Sequence, residues 1–364
     1  MKVLSFISKA ACIASLAFMT SIDTGAAESI TVVSWGGNYT KNQATVFFEP
    51  FTKETGIEVK TVDWNGDLGK LRAMQQAGQV TWDVIVGDEY VSKIGCDEGL
   101  LAQINPQKLA PAPDGTPAAK DYVSGAIQSC GIGEMIFGTM LGYDPAKFPN
   151  EEPRNAADFF DLTKFPGKRG LYKRPNGTLA IALMADGVAP AEVYKVLATP
   201  EGLDRAFRKL DTIKRNVVWW ETFSQSPQLL NDGEVTMTSA SGPRLIQPIV
   251  QDGKRWKVLF RDFAWTMDVW MVAKGAPNPT GAQRFLEFAS RADRGAAMAN
   301  LAAYSPIRAS AIALVGRNPI SGADMRPFTL TDPEILARGS KVDADFWADH
   351  LDALQTRFNT WLAQ

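Results

Sequence analysis

The chain has 364 residues, 45% hydrophobic and 21% charged, with a formal net charge of −2. That is ample for a packed core and more than one domain usually holds, so two domains are expected. No basic stripe stands out, which argues against nucleic acid as a partner. A single histidine, His350, removes most Ser–His–Asp, Cys–His and His-rich zinc chemistry, which narrows the enzyme options sharply without excluding a carboxylate-based hydrolase.

At the N-terminus Lys2 and Lys9 flank the apolar run AACIASLAFM at 10–19, and GAA at 25–27 places small residues before a cut after Ala27. This is a secretory signal pattern, too short to span a bilayer, and residues 1–27 are expected to be removed. Lys9, three residues before Cys12, argues against a lipoprotein. Cys96 and Cys130 then remain in an exported chain. One disulfide is favoured, with two buried free thiols as the alternative. The bridge closes a loop of roughly 35 residues, worth about 3–4 kcal/mol by chain entropy.

SITVVSW (29–35) reads as a buried strand, 42–56 as an amphipathic helix stopped by Gly56, and IEVKTVDW (57–64) as a second strand. A helix over 67–79, a buried strand at Val84–Val86 and a short helix over 91–101 follow. This β-α alternation implies a mainly parallel sheet covered on both faces. Residues 133–148 form a strand broken at Asp144-Pro145. Residues 150–260 read as a second α/β unit, with helices near 178–186, 190–198 and 201–216 and a strand–glycine–helix passage at 235–253. Two separate strands, 256–260 and 264–274, come next, then helices at 280–290 and 293–302, a turn at 304–308 and helices through 332–363.

Open α/β sheets bind ligands beyond the carboxyl ends of their strands. Trp35 and Tyr39 stand at such an end, separated by Gly36 and Gly37, whose lack of a Cβ lets backbone N–H groups approach a ligand. The two rings either stack on a ligand or pack under the next helix. Asp268 interrupts the apolar run WTMDVWMV; buried, it either pairs with an arginine of the protein or awaits a cationic ligand. Asp88 and Glu89 follow the third strand as ligand contacts or helix caps. Ser241, Gly242 and Arg244, in SGPR, read as a glycine turn at a helix start, either an anion site or an ordinary α/β turn. Lys173 and Arg174 read by default as a solvated loop. No phosphate loop, dinucleotide fingerprint, metalloprotease motif or nucleophile elbow occurs, and no cofactor or metal is implied.

Several of these segments, in order, resemble the periplasmic substrate-binding proteins of ABC importers, in the branch that includes the spermidine/putrescine-binding proteins. They are VVSWGGNY (32–39), FEPFTKETGIEVK (48–60), TWDVIVGDEYVSKIGCDEGLLAQIN (81–105), LGYDPAKF (141–148), TMDVWMVAKGAPNP (266–279) and AAYSPIR (302–308). The resemblance implies a type II two-lobe fold: residues 28–140 plus 268–315 in one lobe, 141–267 plus 316–364 in the other. It implies a monomer outside the inner membrane that captures a solute and delivers it to a membrane permease without catalysis. By position it places Trp35, Tyr39, Tyr304, Asp268 and either Asp88 or Glu89 at the ligand, with Thr266 where an aromatic is usual, and it supports the Cys96–Cys130 bridge.

The departures point away from a plain polyamine. Lys173 and Arg174 occupy a segment where polyamine binders carry acids, and SASG at 239–242 lies where they carry a Trp. Acids on one side with Arg174 and Arg244 on the other suggest an amino-acid-like or opine-like amine carboxylate. A solute sensor for a receptor, and a hydrolase using Asp88 and Asp268 on a sugar, are the alternatives.

Overall fold

The computed structural model describes residues 28–364, so the signal-sequence expectation lies outside the described residues. Among the described residues there are ten strands: β1 (Ser29–Ser34), β2 (Glu58–Asp63), β3 (Val84–Asp88), β4 (Gly131–Tyr143), β5 (Arg169–Tyr172), β6 (Val217–Trp220), β7 (Met237–Ser241), β8 (Lys257–Val272), β9 (Ser305–Pro306) and β10 (Ser340–Lys341). Their order is β2-β1-β3-β8-β4-β7-β5-β6. The pairs β1–β2, β1–β3, β5–β6 and β5–β7 are parallel.

The long strands β4 and β8 run antiparallel along most of their length and tie two strand groups together. The β2-β1-β3 group joins at Val84↔Val272 through Asp88↔Asp268. The β7-β5-β6 group joins the other end of β4, at Thr139↔Ser241 through Tyr143↔Met237. This is an α/β fold with two mainly parallel groups joined by crossing strands.

β8 is continuous, where the sequence suggested two strands, 256–260 and 264–274. Asp262 bridges them with φ 53°. Its N–H donates to Arg338 O at 2.8 Å and its carboxylate accepts from Ala156 N–H at 3.0 Å. Those bonds hold a left-handed residue inside an otherwise extended run. β5 and β6 are only four residues each and lack alternation, so the pattern did not separate them from loop.

Helical backbone begins at Gly37, earlier than the apolar pattern suggested, and continues to Thr55, with Gly56 closing it at φ 75°. Pro50 has no N–H for the Val46 carbonyl. A wider helical turn spans Ala44–Phe48, and Arg294 Nη1 donates to Val46 O at 3.2 Å.

Both faces of the sheet are covered. Phe47, Phe51, Trp270 and Phe285 pack on one side. On the other, the Thr178–Ala185 helix is buried at every position, as expected for a helix apolar all round. Cys96 and Cys130 form the disulfide with a Cα–Cα distance of 5.7 Å, which rules out two free thiols. His350 is exposed and packs on Phe346.

Candidate functional site

Gly36 and Gly37 answer for the abrupt end of β1. Both have positive φ, 73° and 61°. A Cβ on Gly36 would sit 2.7 Å from Asp63 Oδ2. The glycine pair lets the chain leave the strand and start a helix within two residues. Trp35 and Tyr39 thus come to the same strand end, and both turn toward Asp268.

Trp35 Nε1 donates to Asp268 Oδ1 at 3.1 Å, and the Tyr39 hydroxyl lies 2.9 Å from Asp268 Oδ2. Among the described residues no arginine pairs with Asp268. Two ring donors hold it, with the positive charge of Arg244 close enough to temper it. Asp88 lies directly opposite on β3. Burial raises both carboxyls, Asp268 to about 6. Asp88 is raised further by the charge of Asp268 and eased by a hydrogen bond from Tyr90 and by Arg174.

Nine side chains line one small cavity: Trp35, Tyr39, Asp88, Phe137, Phe223, Ser241, Arg244, Asp268 and Tyr304. Its free volume is ≈ 20 Å³, room for about one water. Lining comes from both strand groups. Trp35, Tyr39 and Asp88 follow β1 and β3, whereas Ser241 and Arg244 open the Gly242–Gln251 helix after β7. The Tyr39 and Tyr304 rings meet edge to face at 5.1 Å. Trp35 stands between Trp64 at 5.8 Å and Phe223 at 6.2 Å, so aromatic contact also crosses from one group to the other.

The opposite pole is cationic. The Arg244 guanidinium lies over the Phe223 ring at 5.7 Å and makes no ion pair among the described residues. It sits in the first turn of a helix whose N-terminal N–H groups favour an anion. The cavity thus has buried acids at one end and a guanidinium with a helix N-terminus at the other.

Five expected residues stand outside this lining. Gly36 serves the turn. Gly242 lets the helix approach β4, since a Cβ there would sit 2.5 Å from Met140 Sδ. Glu89 and Thr266 face away from the cavity: Glu89 lies 3.8 Å from Lys341 Nζ, and Thr266 Oγ1 lies 3.5 Å from its carboxylate. Of the two neighbouring acids, Asp88 is the one at the cavity, because the chain turns into a helix at Glu89. Arg174 lines a separate cleft with Asn65, Asp67 and Glu98, its guanidinium over Tyr172. Lys173 pairs with Glu221 at 2.7 Å on the surface.

Phe137, Phe223 and Glu134 escaped the sequence reading. Glu134 hydrogen-bonds Tyr39 and Gln43 beneath the cavity. It interrupts the apolar β4 as Asp268 interrupts β8, so the same reasoning could have found it. Phe223 follows a strand that the pattern did not reveal.

Residues 47–321 match the family described as bacterial extracellular solute-binding protein. The chain is 37% identical over 337 residues to the gamma-aminobutyric acid-binding protein of Pseudomonas aeruginosa, covering 93% of this chain and 92% of that one. It is similar to the periplasmic binding protein MotA of A. tumefaciens B6 in complex with glucopine, with 28% identity, TM-score 0.81 and coverage of 92% and 99%. It is also similar to the Atu4243–GABA receptor structure, with 29% identity, TM-score 0.75 and coverage of 93% and 98%. The chain belongs to the bacterial extracellular solute-binding protein family and has the two-lobe type II fold of the ABC-importer binding proteins.

Proposed function

We propose that this protein captures a small ω-amino acid, with 4-aminobutyrate as the leading candidate, and presents it to an ABC permease. One observation carries the reading: a single cavity has the Asp88–Asp268 pair at one end and unpaired Arg244 with the Ser241 helix start at the other. The ammonium binds at Asp268, framed by the Trp35, Tyr39 and Tyr304 rings; cation–π attraction adds about 0.5–2 kcal/mol per desolvated contact. The carboxylate binds at Arg244 and the helix N-terminus. The gamma-aminobutyric acid for which the Pseudomonas relative and the Atu4243 receptor are named supports this class. The narrow lining favours a short unbranched chain over a sugar-bearing opine.

A 20 Å³ cavity admits such a ligand only when its two sides separate. Residues 28–140 plus 268–315 form one lobe in this reading and 141–267 plus 316–364 the other, with β4 and β8 as two of the crossings. A micromolar ligand releases about 8 kcal/mol, enough to favour the closed form decisively. The protein works as a periplasmic monomer after its signal peptide is removed, and the ligand leaves chemically unchanged. Among the described residues no helix is long and apolar enough to cross a membrane.

The test is calorimetric titration of the purified protein with 4-aminobutyrate, putrescine and glucopine, with mass analysis of recovered ligand. Micromolar or tighter binding of 4-aminobutyrate, ahead of both others and without turnover, is expected. Preference for putrescine would remove the ammonium–carboxylate assignment, and conversion of the ligand would remove the binding-only role.

A further inference from the structure

A chain of buried polar groups runs from the end of β1 to Asp268. Ser34 Oγ donates to Gln43 Oε1 at 2.5 Å, and Gln43 Nε2 donates to Glu134 Oε1 at 2.8 Å. Glu134 Oε2 and Asp268 Oδ2 each lie 2.9 Å from the Tyr39 hydroxyl. A phenol has one proton to donate and lone pairs to accept with. It can donate to only one of these two carboxyl groups. The other must carry a proton and donate back, or face the phenol oxygen lone pair to lone pair.

The surroundings decide which acid holds that proton. Asp268 receives a second donor, Trp35 Nε1, and feels the charge of Arg244. Glu134 is 6% exposed, and among the described residues no basic group lies within 4.0 Å of it. Its remaining partner is a neutral amide, and the charged group that bears on it is Asp268, which disfavours a second anion. Burial and that charge hold the Glu134 carboxyl well above the usual carboxylate range.

We propose that Glu134 is a neutral carboxylic acid at neutral pH, donating to Tyr39 so that Tyr39 donates to Asp268. Glu134 is then a positioning residue. It fixes the direction of the Tyr39 proton, leaves Asp268 as the acceptor that faces the cavity, and withholds one negative charge from that wall. The consequence for ligand class is direct. With Glu134 uncharged, the acidic end suits one ammonium and Arg244 suits one carboxylate; an ionised Glu134 would tilt the site toward a diammonium. This consequence rests on the ammonium–carboxylate reading, whereas the protonation state rests on hydrogen-bond geometry.

The experiment is infrared difference spectroscopy of wild type against Glu134→Gln at neutral pH, joined to titration of both with 4-aminobutyrate and putrescine. Glutamine preserves the chain, because its carbonyl accepts from Gln43 and its amide donates to Tyr39. The expected result is a carboxylic-acid carbonyl band in wild type, sensitive to deuteration and missing from the variant. The variant should keep its affinity for 4-aminobutyrate within about threefold and its preference over putrescine. Loss of no such band, a loss of affinity beyond about tenfold, or failure of Glu134→Gln to fold would overturn the assignment. If wild type shows the band but ignores 4-aminobutyrate, the ligand reading fails while the proton stays on Glu134.

Discussion

Asp268→Asn isolates the charge that the ammonium is expected to meet. Asp268 is 2% exposed and held by Trp35 Nε1 at 3.1 Å and the Tyr39 hydroxyl at 2.9 Å. The substitution keeps the shape and removes the negative charge. Truncating one partner of a buried, hydrogen-bonded charge pair costs about 2–5 kcal/mol, roughly 30- to 4000-fold in Kd. The asparagine carbonyl accepts from Trp35 Nε1, while its NH2 faces the Tyr39 hydroxyl, whose proton must turn back toward Glu134; disturbing that pair adds about 1–3 kcal/mol. That second cost falls on the ligand-free protein too, where relief of the Asp88–Asp268 repulsion offsets it. Affinity should therefore suffer far more than stability. Titration calorimetry with 4-aminobutyrate, paired with a thermal melt of the free protein, reads both. A Kd within about fivefold of wild type, in a variant that melts normally, would refute the placement of the ammonium.

Other expectations follow from the same geometry. Arg244→Ala should weaken 4-aminobutyrate by about 1.5–3 kcal/mol, the worth of a hydrogen bond to a charged group, while sparing uncharged-tail amines such as butylamine; titration with both ligands reads the contrast. Burial raises both Asp88 and Asp268 in the folded protein, so unliganded stability from their protonated forms is present at low pH; the share of Asp88 is lost at its own raised value, and that of Asp268 as pH rises through about 6. Ammonium binding needs the ionised form, so affinity should run the other way, rising by up to about tenfold per pH unit below that value and levelling above it; calorimetry across this range checks the sign. Removing the Cys96–Cys130 bridge with a Cys96→Ala/Cys130→Ala pair should cost about 3–4 kcal/mol in denaturant unfolding and leave ligand affinity intact. Arg308→Met should cost about 3–5 kcal/mol in the same assay, because it strands buried Asp121, now held by Arg308 Nε at 2.6 Å and Ser310 N–H at 2.8 Å.

The fold was legible where side-chain pattern and backbone need coincide. The β-branched runs at 29–34 and 84–86 and the glycine stops have only one economical arrangement, and the ordered motifs supplied the two-lobe topology. β6 was not legible, because VVWW carries no alternation and its strand character comes from pairing with β5. The join inside β8 was hidden for a different reason: Asp262 adopts φ 53° through bonds to Arg338 and Ala156, both remote in sequence.

At the site, Trp35, Tyr39 and Asp268 were legible as an aromatic pair at a strand end and a lone acid in an apolar strand. Their mutual hydrogen bonds were not, since these span 233 and 229 residues. The choice between Asp88 and Glu89 needed the helix start, which turns one acid inward and the next toward Lys341. Arg174 lines the neighbouring cleft, from which its charge still bears on Asp88; its side-chain direction could not be read from the loop sequence. Glu134 was present in the pattern and passed over.

The most direct measurement is a crystal structure of the protein grown with 4-aminobutyrate. The account predicts the ligand inside the Trp35–Tyr304 cavity, its ammonium against Asp268 and its carboxylate against Arg244 and the Ser241 helix start. A ligand bound outside that cavity, or bound with its carboxylate toward Asp268, would contradict it.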